Sequence, residues 1–188
     1  MGTDIHGWVE IKQIQAVAED PSHPARWEGV IKIDNLIRRN YDMFSSLFGI
    51  SSYAAFVPIA PARKLPHDLS EETTADYVTW EEILGETWIS WAEIAAVDWT
   101  EDALDSRPHE YQASVTGQLN YTTKSAPLVS EVIQEGHTWH IDATTYKIER
   151  ITRQQALSPD WTLLFQLMET LVSIYGENGV RLVVWFEN

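Results

Sequence analysis

Two residues near the start of the chain, Asp4 and His6, bring together side chains that can do chemistry. They lie two positions apart in a stretch that alternates as a strand does, so both side chains fall on one face. A carboxylate and an imidazole placed in this way can ligate a metal ion, or can serve as an orienting group and a general base. We therefore predict Asp4 and His6 as catalytic residues. The alternative is that both face solvent on a half-exposed strand.

A second group of such side chains has the spacing His137-x-x-His140-x-Asp142. On a strand, His140 and Asp142 share a face and His137 does not. Imidazole and carboxylate ligands suit zinc, manganese or iron, but three ligands from one strand segment give poor geometry. The predicted metal site therefore joins Asp4, His6, His140 and Asp142 around a divalent metal cofactor. The alternative is the polar outer face of a sheet.

Scarce positive charge lies beside amide and aromatic groups at residues 38–41. Two adjacent guanidinium groups in so acidic a chain either bind an anion through their fork geometry or pair with local carboxylates. An exposed indole on the first strand would add a stacking surface for a ring, although burial in the core is the commoner fate of tryptophan. The predicted ligand-binding residues are Trp8, Arg38, Arg39, Asn40 and Tyr41. Arg63 and Lys64 are candidates for the same patch.

The elements that would position these residues indicate an α+β fold with an antiparallel or mixed sheet. Strands are predicted over residues 3–12, 26–33, 88–90, 111–119, 128–133, 138–150 and 180–186. Helices are predicted over residues 41–48, 70–83, 91–97 and 159–175. The last helix begins after an N-cap serine, with proline and an acid in its first turn. Its predicted buried face carries Leu163, Leu164, Leu167, Leu171, Ile174 and Tyr175.

Residues 65–106 contain 12 Asp and Glu and no Lys or Arg, in a chain whose net charge is −15. Four tryptophans lie among these acids, which predicts a folded acidic helical lobe within a single domain of residues 1–188. Such a surface would steer basic partners toward it. An acidic interaction protein that imitates the charge of DNA is therefore the alternative to a ligand-binding protein.

Charge and composition also argue against several classes of protein. Nucleic-acid binding needs a basic face, and anionic membrane surfaces repel an acidic chain. The apolar runs fall far short of the roughly 20 residues that span a bilayer, and no signal peptide is predicted. The chain has no cysteine, so disulfides and thiol catalysis are excluded. It also lacks a Gly-rich phosphate loop and a Gly-x-Ser-x-Gly elbow.

Four blocks of sequence resemble those of one group of proteins. They are Met-Gly-Thr-Asp-Ile-His at residues 1–6, Arg-Asn-Tyr-Asp-Met-Phe at 39–44, Leu-Pro-x-Asp-x-Ser at 65–70, and the last nine residues, 180–188. The chain resembles a largely uncharacterised family of small bacteriophage and actinobacterial proteins. That family has a His-containing stretch before a Ser-Trp pair, whereas the corresponding residues 85–91 contain no His. The resemblance implies a phage protein in the cytoplasm of its host, and it implies no particular reaction.

These observations favour a phage-type protein that binds a small anionic, nucleotide-like ligand to counter host defence signalling. If the predicted metal site forms, hydrolysis of that ligand follows as a further expectation. The alternatives are an acidic inhibitor of a basic host protein, and a structural phage component that would assemble as a homo-oligomer.

Overall fold

The computed structural model describes residues 2–13, 26–126 and 134–188 and shows the predicted α+β class. The strands are β1 (Asp4–Lys12), β2 (Trp27–Lys32), β3 (Gly85–Ser90), β4 (Asp102–Leu104), β5 (His109–Ala113), β6 (Leu119–Lys124), β7 (Thr138–Ile141), β8 (Thr144–Lys147), β9 (Arg150–Thr152) and β10 (Val180–Glu187). The helices are α1 (Tyr41–Phe48), α2 (Glu71–Tyr77), α3 (Trp91–Ala95), α4 (Arg153–Ala156) and α5 (Pro159–Tyr175), with a 3₁₀ turn at Glu177–Gly179. Within the described ranges, no helix is long and apolar enough to cross a membrane.

The chain divides into two compact units, each assembled from segments that are distant in sequence. The first unit comprises Met1–Asn40, Ile59–Val97 and Leu157–Asn188, and the second comprises Tyr41–Pro58 and Asp98–Ala156. The acidic stretch contributes residues 65–97 to the first unit and residues 98–106 to the second.

The first unit is built on an antiparallel sheet with the order β2-β1-β10-β3. One face of this sheet is apolar and packs against α5, which buries Trp161, Leu164, Phe165 and Met168. The predicted face of this helix is therefore partly wrong, because Leu163 and Ile174 are 45% and 58% exposed. The two buried aromatic side chains, together with Met168, determine which face of the helix turns inward.

The opposite face of the same sheet, here called the polar face, bears the side chains of Asp4, His6 and Trp8. The alternation predicted for β1 is confirmed, since Ile5 and Val9 are buried on the other face. Helix α2 packs on the polar face beside β1 and β2. It begins at residue 71, directly after its N-cap Ser70, and it ends at Tyr77, six residues earlier than predicted.

Glu10 shows how α2 is attached to the polar face. Its carboxylate is fully buried and accepts hydrogen bonds from the Ser70 N–H (3.0 Å) and the Thr73 hydroxyl (2.6 Å). Its second oxygen accepts from Arg181 Nε at 2.7 Å. The carboxylate therefore lies at the helix N-terminus, where the helix dipole and free N–H groups stabilise negative charge. Gly29 allows α2 to lie close to β2, because a Cβ at this position would lie 2.9 Å from the Cβ of Glu72.

The second unit contains a four-stranded antiparallel sheet, β6-β5-β8-β7, and the two-stranded pair β4-β9. A small apolar cluster is formed by Ala54, Phe56, Ala103 and Ile151. The continuous strand predicted over residues 138–150 is wrong: β7 and β8 form a hairpin, and β9 is a separate strand. The strand predicted over 111–119 is likewise two strands, β5 and β6, whereas the prediction for 128–133 lies outside the described residues.

Candidate functional site

His6 lies between two carboxylates on the polar face. Its Nδ1 is 3.4 Å from Asp34 Oδ1, and its Nε2 is 3.3 Å from Glu187 Oε1. The ring of Trp80, which follows α2, lies 3.9 Å from the imidazole centroid. Both ring nitrogens therefore face acids, and an indole covers the ring. Nδ1 is buried and Nε2 is in contact with Glu187, so neither nitrogen is open to a substrate proton, which a general base must reach.

Four other predicted residues of the first unit, Asp4, Trp8, Arg39 and Asn40, are engaged by partners within it. Arg39 binds Asp4 with two hydrogen bonds, of 3.0 and 2.7 Å, so the guanidinium and the carboxylate neutralise each other. Trp8 donates its indole N–H to Asp76 on α2 at 2.8 Å. The Asn40 amide donates to the Ser158 hydroxyl at 3.1 Å, which ties the loop to the start of α5. Arg39 therefore pairs with a local carboxylate, which was the alternative to binding an anion, and the pair holds the loop.

Arg38 differs from Arg39, because only its backbone is bound. Its N–H donates to Asp160 at 2.7 Å, while its exposed side chain has no ion-pair partner among the described residues. Tyr41 belongs to the second unit, where its ring contacts Phe44 and Tyr53 edge-on at 6.1 and 5.8 Å. The five predicted ligand-binding residues are thus not brought together in one unit.

The predicted metal site at Asp4, His6, His140 and Asp142 receives no support from the geometry. Among the residues that the structure describes, no group of three or more His, Asp or Glu side chains is placed to hold a metal ion. Asp142 lies in the turn of the β7–β8 hairpin with φ of 49°, a conformation that Asp tolerates better than most residues. His140 contacts the Thr145 hydroxyl at 3.0 Å. The shared strand face predicted for His140 and Asp142 is therefore wrong.

An open site on the polar face lies further along the sheet than the predicted residues. It is a cavity of about 780 Å³, here called the tryptophan groove, whose lining includes Trp27, Lys64, His67, Trp88 and Arg181. Its volume is near the upper end of the roughly 300–1,000 Å³ that is typical of small-ligand sites. Trp27 and Trp88 are both half-buried, so part of each indole faces the groove.

Each tryptophan of the groove is braced by an arginine. The Arg181 guanidinium lies 3.9 Å from the Trp27 ring centroid, and the Arg63 guanidinium lies 5.5 Å from that of Trp88. The indole N–H of Trp27 also donates to Asp68 at 2.9 Å. Such contacts fix the orientation of both rings before a ligand arrives, which lowers the entropy cost of binding.

The carboxylates beside the groove are paired with those arginines. Burial raises the pKa of Asp68, but the hydrogen bond and charge of Arg181 outweigh it, so the pKa lies below its ordinary value. Burial likewise raises the pKa of Glu93, and hydrogen bonds from Arg63 and Ser90 bring it below its ordinary value. Arg181 also binds the buried Glu10, so each of its three nitrogens already donates a hydrogen bond.

Unlike Arg63 and Arg181, Lys64 has no carboxylate partner among the described residues. Its side chain is exposed and forms no ion pair or hydrogen bond with any described residue. Its backbone has φ of 63°, and Ala62 has φ of 33°. Left-handed conformations cost a residue with a Cβ about 1–2 kcal/mol, so they persist where the surrounding structure enforces them and often accompany function. The loop therefore keeps Lys64 in a backbone conformation that costs stability, and the ammonium of Lys64 has no partner among the described residues.

The acidic stretch supplies counter-charges to the fold itself. Seven of the eight lysines and arginines that form ion pairs within the described ranges use a carboxylate from residues 65–106. They are Lys32, Arg63, Arg107, Lys124, Arg150, Arg153 and Arg181. The stretch is therefore less available to an external partner than its sequence suggests, since half of its twelve acids take part in these pairs.

Asp105 is the clearest case, and sequence reasoning missed it. It is fully buried, and its oxygens accept from Arg107 Nε (3.0 Å) and contact Lys124 Nζ (2.8 Å). Burial raises its pKa, but contacts with His109, Arg107 and Lys124 hold that pKa far below its ordinary value. Asp42 pairs with both cations as well, so it also stabilises the second unit.

Comparison with known proteins gives no further assignment. No protein-family model matches the chain, and no curated protein or solved structure is significantly similar to it. The functional interpretation therefore depends on the groove itself.

Proposed function

We propose that this chain binds a small anionic ligand that carries an aromatic ring, and that the ligand occupies the tryptophan groove. The observation that supports this most strongly is the position of Lys64. Its exposed ammonium, which has no carboxylate partner among the described residues, lines the same cavity as two half-buried indoles. Indoles stack rings of any base, and an ammonium binds phosphate as a compact charge.

The ligand class is the one predicted from the sequence, but the proposed residues differ. Trp27, Trp88 and Lys64 replace Trp8, Arg38 and Arg39, because Trp8 and Arg39 are already bound by Asp76 and Asp4. We propose binding without a chemical step, since His6 contacts a carboxylate through each ring nitrogen. In the phage context that the resemblance implies, such a protein would sequester a nucleotide in the host cytoplasm. Docking on a basic host protein and assembly into a homo-oligomer stay predictions.

Isothermal titration calorimetry with a panel of nucleoside monophosphates tests the proposal. We expect at least one of them to bind to the wild type and to bind at least tenfold more weakly to Lys64→Gln, since a charge-assisted hydrogen bond contributes about 1.5–3 kcal/mol. Arg38→Gln is the matched control, because Arg38 is also exposed and unpaired among the described residues but does not line the groove. Equal losses in both variants, or no binding to the wild type, would contradict the proposal.

A further inference from the structure

We infer that the ligand of the tryptophan groove has two ring systems joined through an anionic linker, which is the chemistry of a dinucleotide. This rests on the proposed function and specifies its ligand. The groove holds two indoles on different strands, and the sheet order fixes how far apart those strands lie. A ligand that uses both indoles must therefore span that distance.

The two tryptophans stand on the outer strands of the four-stranded sheet. Trp27 begins β2 and Trp88 lies in β3, with β1 and β10 between them. Three intervals of about 4.7–4.9 Å place the two strand backbones about 14 Å apart. Side chains stand roughly perpendicular to a sheet, so this separation is largely kept by the rings. Their offset along the strands adds to it, because Trp88 pairs with Val183 while Trp27 pairs with Lys12 at the far end of β1.

One ring cannot occupy the space between these two indoles and touch both. A sandwiched ring needs the flanking planes about 7 Å apart, twice the usual contact distance between carbon atoms. Each indole also contacts a different arginine, Trp27 the Arg181 guanidinium and Trp88 the Arg63 guanidinium. The groove thus offers two stacking positions instead of one sandwich.

The space between the two stacking positions suits a negative charge. Lys64 lines the same cavity and is unpaired among the described residues, whereas Arg63 and Arg181 are committed to Glu93 and Asp68. His67, which is also exposed, lines the cavity beside it. A single phosphodiester between two bases would meet this one available ammonium. The volume of about 780 Å³ exceeds what one small ring requires.

Calorimetry with four homodinucleotides, ApA, CpC, GpG and UpU, and their four 5′-monophosphates tests the inference on the full chain. We expect at least one dinucleotide to bind about tenfold or more tightly than its monophosphate, because each stacked base contributes strongly to affinity. Trp27→Leu and Trp88→Leu should each weaken the binding of that dinucleotide by about tenfold, and Lys64→Gln should weaken its binding as well.

The outcomes separate the inference from the proposed function. A monophosphate that binds as tightly as its dinucleotide, with only one tryptophan contributing, would overturn the two-ring inference and leave the proposed function intact. Failure of every compound to bind the wild type would overturn both. Circular dichroism of each variant checks folding, and if a leucine variant unfolds, Trp27→Phe and Trp88→Phe replace it. Loss of affinity in only one of those two phenylalanine variants would also overturn the inference.

Discussion

Replacing Lys64 by glycine should make the protein more stable and should also weaken ligand binding in its groove. The residue has φ of 63°, which costs a side chain with a Cβ about 1–2 kcal/mol. Glycine avoids that cost but loses about 0.5–1 kcal/mol more backbone entropy on folding. The net gain is about 0.5–1 kcal/mol, or a rise of about 1–4 °C in the midpoint of thermal unfolding for a chain of this size.

Lys64→Ala is the control that separates conformation from charge. It removes the ammonium but keeps the Cβ, so its free energy of unfolding should stay within about 0.5 kcal/mol of the wild-type value. Both variants should lose affinity for the anionic ligand by about tenfold or more, because both lack the charge. Differential scanning calorimetry and titration calorimetry measure the two effects. A glycine variant no more stable than the alanine variant would refute the argument from backbone strain, and retained affinity in Lys64→Ala would refute the role of the ammonium.

Three further predictions concern the folded scaffold of the two units. Gly29→Val should destabilise the fold by about 1–3 kcal/mol in urea unfolding, because its Cβ would press on Glu72 of α2. Asp105→Asn should lower the free energy of unfolding at pH 7, and should reduce the further loss of stability that occurs as the pH falls. The folded pKa of Asp105 is depressed, so its contribution is present above about pH 4 and is lost below it. Desolvation and Glu86 raise the pKa of Tyr77 to about 12, so Tyr77→Phe should reduce the loss of stability between pH 10 and 12 that absorbance-monitored unfolding detects.

The sequence allowed the sheet of the first unit to be predicted in part. Period-two alternation correctly assigned Asp4, His6 and Trp8 to one face of β1, since strand geometry depends only on neighbouring residues. The same pattern placed Glu10 on that face but could not indicate that it is fully buried. Its burial depends on α2, whose cap Ser70 lies sixty positions further along the chain.

The candidate site could not be predicted because its partners are distant in sequence. Trp27 meets Arg181 across the sheet, a contact that only the strand order β2-β1-β10 establishes. Arg39 and Arg63 look alike in the sequence, yet one is bound to Asp4 and the other braces Trp88. The concentration of acids in residues 65–106 was the available signal, because it implied that scarce cations elsewhere would need these acids as partners.

Chemical-shift mapping of the nine tryptophan indole N–H groups during titration with a nucleotide distinguishes binding in the tryptophan groove from binding around His6. Each indole reports on its own surroundings, so one spectrum compares the groove with the predicted site around His6. Binding in the tryptophan groove predicts the largest shifts at Trp27 and Trp88, with Trp8 and Trp80 little changed. Shifts centred on Trp8 and Trp80, or no shifts at saturating nucleotide, would contradict the account.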